Sequence, residues 1–430
     1  MSCAHSALGP GVRLVAAAVF GIVSLSRHSP ASEAASPRLT LEQALALAEQ
    51  QNPALRAQQQ SVESGRANEI TAGLSPNPTF QNDTSSATAG VYQELEIGGK
   101  RRSRLESARL ATAISGTDLA DARRSLVLEV RQSFIEGLLA KTNLALAREN
   151  LSDFQKVIDL NRMRLEKGAL SGADFLKIEL QLSQYQSDLA DAALALETAK
   201  TTLRALLGGV GLPENFDLEG DLQAIPFEET SLSELQSRAV ANRPDLQSAE
   251  TGREKAAADV RLAKANGYPD PTIGVSWLHT GNEIGGPSWF EPFFPKGTTS
   301  NSMGLGVSFP IPLFNRNQGE IARAESERRR ADFLAQDRRN QVLREVETTW
   351  TALQSSRDRV RLYESTYLPQ AKESRDIAEF AFQKGATSIL DLLDAERTYR
   401  STQLEYRRQL ASYRTNLAQL EAAVGAPVTR

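Results

Sequence analysis

Cysteine is all but missing from this chain: Cys3 is its only one. Histidine is nearly as scarce, with His5, His28 and His279. Residues 1–34 read as a secretory signal. Arg13 precedes an apolar stretch from Leu14 to Leu25, and Ser32-Glu33-Ala34-Ala35 gives a small-residue cleavage context near Ala34. Cleavage there removes Cys3, His5 and His28. The mature chain is then expected to have no disulfide and no thiolate chemistry. With no cysteine at the cleavage point, no lipid anchor is expected either. His279 is left as the one imidazole. It stands beside Thr280-Gly281-Asn282, a loop signal, and reads as a polar strand-end side chain. A zinc or soft-metal cluster is not expected from such a composition. The sequence therefore offers no catalytic residues, no metal ligands and no cofactor, and is not read as an enzyme.

Long apolar runs are also lacking. None reaches the roughly 18–20 residues of a membrane-spanning helix. No Gly-rich loop with a lysine-serine ending is present to hold a nucleotide. The 49 basic and 53 acidic residues leave a formal charge of −4. Losing Arg13, Arg27 and Glu33 with the signal makes it −5, which gives no reason to expect a nucleic-acid partner.

What is present is a duplication. Lys167-Gly168-Ala169 followed by Asp174 recurs as Lys384-Gly385-Ala386 followed by Asp391, an offset of 217. Val130 and Phe134 find Val346 and Trp350 at an offset of 216, as Ile97-Gly98-Gly99-Lys100-Arg101 finds Leu313-Phe314-Asn315-Arg316-Asn317. Asn52-Pro53 answers Arg243-Pro244 at 191, so the second copy gains 25 residues in between. The repeats are placed at 38–208 and 231–425, with a linker at 209–230.

Each copy opens with a helix that breaks at its proline and continues into a β-hairpin, 79–97 in the first and 272–313 in the second. The hairpins are read from strands at Thr79–Thr84, Val91–Ile97, Ile273–Trp277 and Met303–Leu313. The last alternates Met303, Leu305, Val307, Phe309, Ile311 and Leu313 with small residues and prolines. Period two with one apolar face marks a sheet that meets something apolar on one side. Small residues opposite fit either a watery interior or a soluble half-buried strand. Pro310 and Pro312 weaken the strand's end. The loop between these strands holds Trp289, Phe290, Phe293 and Phe294. Helical hairpins follow at 103–207 and 320–424. From Ser103 to Glu166 there is no proline, and from Glu320 to Lys384 only Pro369. A helix of this length spans on the order of 95 Å. No ordinary core can cover it, so the helices must pack along one another. The fold class is mainly α with a small β part. Four strands cannot close a barrel, and open edges are not tolerated in lipid. Copies of the chain must supply the rest, and spacing alone leaves two, three or four copies open.

The tip segment Phe382-Gln383-Lys384-Gly385-Ala386-Thr387-Ser388-Ile389-Leu390-Asp391-Leu392-Leu393-Asp394-Ala395, with the duplicated plan, resembles the TolC family of outer-membrane efflux proteins. Phe309-Pro310-Ile311-Pro312-Leu313-Phe314-Asn315-Arg316-Asn317, with Glu94-Leu95-Glu96-Ile97-Gly98-Gly99 in the first copy, is similar to its CzcC-like heavy-metal branch. The resemblance spans about residues 38 to 425. It implies a homotrimer, a twelve-stranded transmembrane β-barrel in outer-membrane lipid, and a coiled-coil helical barrel through the periplasm. It also implies docking to a periplasmic adaptor and an inner-membrane RND pump. Asp391 and Asp394 match two aspartates that line the family's periplasmic constriction; three copies would make rings of carboxylates that favour cations. One of them can instead cap the helix after Ser388. Lys167, Gly168, Asp174, Phe382, Lys384, Gly385 and Thr387 fall at the tips, where the family contacts the adaptor and gates. The family's tip lock uses a tyrosine hydroxyl and an arginine; here those positions are Phe382 and Thr387, so Asp174 lacks its hydroxyl partner. Heavy-metal cations are the expected cargo. A drug or type I secretion conduit, or a periplasmic coiled-coil protein that is not a channel, are the alternatives.

Overall fold

The computed structural model describes residues 37–84, 87–209, 215–225, 230–280 and 300–428. The signal at 1–34 and the aromatic loop with Trp289, Phe290, Phe293 and Phe294 lie outside them.

Local chemistry sets each break. Helix α1 (Leu41–Gln51) starts in a capping box: Gln43 N donates to Thr40 Oγ1 at 3.2 Å and Thr40 N to Gln43 Oε1 at 3.1 Å. Pro53 ends it and opens α2 (Pro53–Gly73) as a first-turn proline. In the second copy α5 (Leu232–Asn242) gives way to α6 (Pro244–Ala265) in the same manner.

After α2 come strands β2 (Thr79–Asp83) and β3 (Thr88–Glu94), then α3 (Lys100–Glu166), a rod of 67 residues. Its antiparallel mate is α4 (Gly172–Leu206). The second copy runs β5 (Thr272–Thr280), β6 (Ser300–Ser308), α7 (Gln318–Leu362), a π turn (Tyr363–Tyr367), α8 (Leu368–Gln383) and α9 (Ile389–Val424). Strand β3 sits three residues earlier than the alternation predicts. The Leu95 N–H still bonds the Pro271 carbonyl at 2.9 Å, in register with β5, but the Ile97 N–H goes to the Asp270 carboxylate at 2.9 Å, so the chain has left the ladder by Ile97. Strand β6 stops at Ser308, ahead of the prolines that have no N–H to donate.

The two hairpins join into one antiparallel sheet in the order β2-β3-β5-β6. Its register puts Phe80, Val91, Val275 and Leu305 in one row, with Ile273–Val307 and Trp277–Met303 on the same face. These apolar side chains are uncovered, Leu305 at 81% exposure. The opposite face carries Tyr92–Gly274–Gly306 and Gly90–Ser276–Gly304. Tyr92 lies flat over Gly274, where a Cβ would come within 2.2 Å of its ring. Strands β2 and β6 have no outer partner among the described residues.

Both long helices leave the sheet through a left-handed residue, Gly99 at φ 76° and Asn317 at φ 64°. Lys100 is buried at this exit. It pairs with Asp270 and donates to the Tyr268 carbonyl at 2.6 Å, fastening one hairpin base to the other.

The main core lies at mid-height. Leu126, Val130, Phe134 and Leu138 of α3 are buried with Val342, Val346 and Leu353 of α7 and with Leu417 and Leu420 of α9. The segment after α4 belongs to this core. Strand β1 (Arg38–Leu39) pairs in parallel with β4 (Asp217–Leu218), and Phe216, Leu218 and Leu222 are buried. Gly137 makes room for it, since a Cβ there would meet Leu218 Cδ1 at 2.4 Å.

The π turn accounts for a shift in the duplication. The offset is 216 at Phe134 and Trp350 but 217 at Lys167 and Lys384, so the second copy holds one extra residue between them. The Leu368 N–H bonds the Tyr363 carbonyl five residues back, and this wide turn absorbs the extra residue just before Pro369. The corresponding part of α3 is unbroken helix.

Candidate functional site: the helical-hairpin tips

The two tips are built alike. At each, a glycine with positive φ ends the descending helix, Gly168 at 71° and Gly385 at 72°. Its N–H bonds three residues back, Gly168 to Leu165 and Gly385 to Phe382. The next N–H reaches five back, Ala169 to Arg164 and Ala386 to Ala381. A serine then caps the returning helix. Ser171 Oγ accepts from the Asp174 N–H at 3.1 Å and Ser388 Oγ from the Asp391 N–H at 3.3 Å.

The aspartates close these caps. Asp174 Oδ2 accepts from Ser171 Oγ at 2.8 Å, and its Oδ1 pairs with Lys177 at 2.9 Å. Asp391 Oδ2 accepts from Thr387 Oγ1 at 2.6 Å and from both Oγ and N of Ser388, at 2.7 and 3.1 Å. The Lys177 and Ser171 bonds hold the Asp174 carboxyl below the usual carboxylate range; Thr387 and Ser388 do the same for Asp391. Asp394 follows one turn later, exposed and with no hydrogen bond or ion pair among the described residues. Ile389 and Leu392 are buried on the opposite side of α9. Asp391 and Asp394 thus share an exposed face, and Asp391 also serves as a cap.

Phe382 has no hydroxyl to give, and the structure shows what it does instead. It packs on a cluster shared by both hairpins, made of Phe154, Ile158, Phe175, Ile178, Ile389 and Leu392. Arg164 of α3 lies over its ring at 5.3 Å and donates to the Gln383 carbonyl at 3.2 Å. Lys384 lies 5.4 Å from the Phe380 ring. Thr387 spends its hydroxyl on Asp391 within its own tip. Lys167 is exposed. Sequence reasoning missed Arg164, whose one signal was its place in the last turn before Gly168.

Among the described residues no group of three or more histidine, cysteine, aspartate or glutamate side chains could hold a metal ion. None of their helices is long and apolar enough to cross a membrane.

Long paired helices carry acidic residues at their tips and an open sheet with an apolar outer face at the other end, and most of the sequence matches a known family model. The outer membrane efflux protein model covers residues 44–209 and 235–426. The chain belongs to the outer membrane efflux protein family. It is therefore an efflux channel of the outer membrane. Among relatives of this efflux protein is the cobalt-zinc-cadmium resistance protein CzcC of Cupriavidus metallidurans, 27% identical over 383 residues, 87% of each chain. The pyoverdine export outer membrane protein OpmQ of Pseudomonas aeruginosa is 27% identical over 347 residues, 80% of this chain and 69% of that one. A crystal structure of CusC has the same fold, with a TM-score of 0.74 at 20% identity, covering 90% of this chain and 92% of that one.

Proposed function

We propose that three copies of this chain form the outer-membrane conduit of a tripartite pump for heavy-metal cations. The four-stranded sheet carries this reading. It is bare and apolar on one face, small or polar on the other, and unpaired at β2 and β6, as a barrel segment waiting for identical neighbours must be. Three such sheets make a twelve-stranded barrel, and the helical hairpins extend it as a tunnel. The protein moves its cargo passively; an RND pump in the inner membrane supplies energy through a periplasmic adaptor that grips the tips. Asp391 and Asp394, threefold repeated, line the narrow end with carboxylates and favour cations. The likeness to CzcC over 87% of each chain supports metal cargo. The likeness to OpmQ supports a small organic cargo as the second reading.

The test is planar-bilayer conductance of the purified protein. Cation-selective steps are expected, with Asp391→Asn/Asp394→Asn lowering the cation-to-anion permeability ratio several-fold. An unchanged ratio would remove the rings, and a protein that stays soluble after lysis would remove the conduit. Loss of the gene should sensitise cells to cobalt, zinc or cadmium; sensitivity to an organic compound alone would favour the second cargo.

A further inference from the structure

A cavity of about 320 Å³ lies between the two helical hairpins a few turns from their tips, lined from α3, α4, α8 and α9. Its wall is ionic, and most of the charges close on each other. On α3, Lys156 holds Asp153 at 2.7 Å. On α8, Arg375 holds Asp376 at 2.7 Å, with its guanidinium 4.7 Å from the Tyr399 ring of α9. From α9, Arg400 crosses to Asp188 of α4 at 2.8 Å and lies 4.8 Å from the Tyr185 ring, which itself stacks on Phe154.

Two carboxylates are left over. Glu379 of α8 accepts only from the Gln383 amide, at 3.3 Å. Glu396 of α9 is half-buried and has no hydrogen bond or ion pair among the described residues. A carboxylate withdrawn from water without a donor is far better tolerated as the neutral acid. Its setting couples that choice to the seam between hairpins, because α9 meets α3 and α4 here through the Ile389 and Leu392 cluster.

We propose that Glu396 is a proton-operated latch between the two helical hairpins: neutral, it lets α9 seat against α3 and α4; ionised, it loosens that seat. The latch rests on the channel reading only for its consequence, the opening of the tips. Burial pushes the Glu396 carboxyl up. Arg375 opposes this, while Glu379, Asp153 and Asp376 add to it. The seated state thus holds the proton more tightly than a parted state in which Glu396 meets water. Linkage gives the sign: the added grip is complete below the ordinary glutamate value and is lost as pH rises through the raised one.

Hydrogen exchange of the full-length protein in nanodiscs, corrected for intrinsic rates between pH 4 and 8, tests this alongside bilayer conductance. Wild-type protection across 153–188 and 375–400 should fall with rising pH, by about tenfold for each unit by which seating displaces the carboxyl. Glu396→Gln should hold the acid-level protection at neutral pH with a flat profile, whereas Glu379→Gln should keep the step. A wild type without a step, or a Glu396→Gln variant that retains it, overturns the latch. An exchange step in a protein that conducts nothing would support the latch and sink the channel reading.

Discussion

Asn52 and Arg243 hold equivalent places in the two copies with unlike side chains. Asn52 Nδ2 donates to the Leu206 carbonyl at 3.0 Å, and Arg243 Nη1 to the Ala423 carbonyl at 3.2 Å. Each pins the start of one helix to the end of another, and those ends lie 217 residues apart. Asn52 also caps α2 by accepting from the Leu55 N–H at 3.1 Å. Arg243 is 2% exposed and is balanced by Asp245 at 2.7 Å and Glu345 at 2.8 Å.

Unequal losses should follow. Asn52→Ala removes a cap and a hydrogen bond, about 1–2 kcal/mol. Arg243→Ala leaves the half-buried Asp245 with only Arg338, at 3.7 Å, and should cost about 3 kcal/mol. Thermal unfolding followed by circular dichroism should place Arg243→Ala well below Asn52→Ala; equal melting points would contradict the assignment.

Acid should find the same spot. Burial pushes the Asp245 carboxyl up, but the hydrogen bond and charge of Arg243 outweigh it and hold the group below the usual carboxylate range. Its contribution is present above the unfolded value and disappears as pH falls through the lower folded one. Acid unfolding of Arg243→Met should therefore be less steep below pH 4 than that of the wild type.

Deleting Thr366 returns the second copy to an offset of 216 and should erase the π turn. Pro369 would then sit inside a regular helix, at a cost of about 3 kcal/mol or more. Adding Pro369→Ala to the deletion should restore stability. A deletion that melts like the wild type would mean that the wide turn does not accommodate the proline.

The faces of the sheet should respond differently to substitution. Leu305→Arg puts a charge on the apolar face and should cost about 2–4 kcal/mol at the bilayer midplane. It should sharply reduce recovery of the protein in outer membranes. Gly306→Ser on the other face, with no atom within 4 Å of its new Cβ, should be tolerated.

Much of this was legible in the residues. The glycines of the tips, the prolines that split α1 from α2 and α5 from α6, and the alternation in β6 each act locally, where sequence speaks clearly. The change of offset from 216 to 217 was visible too, but a lone insertion says nothing of which turn takes it up. What stayed hidden depends on partners remote in the chain. Leu218 needs Gly137 of α3 and the parallel strand at Leu39; Arg164 needs Phe382. Glu396 is defined by Asp153 of α3 and by Arg375, Asp376 and Glu379 of α8, whose convergence no spacing foretells. The cap formed by Asp391 was anticipated as an alternative, and the structure combines it with exposure on the face shared with Asp394.

The single residue that widens the helix at Tyr363–Tyr367 makes the two halves of the chain mechanically unequal. In a tube of six staves from three subunits, every second stave would carry a soft joint at the same height, and the staves between would be stiff throughout. Strain applied at the lower rim would gather at three joints instead of spreading around the wall, and the tube could flex without its fixed staves giving up their packing.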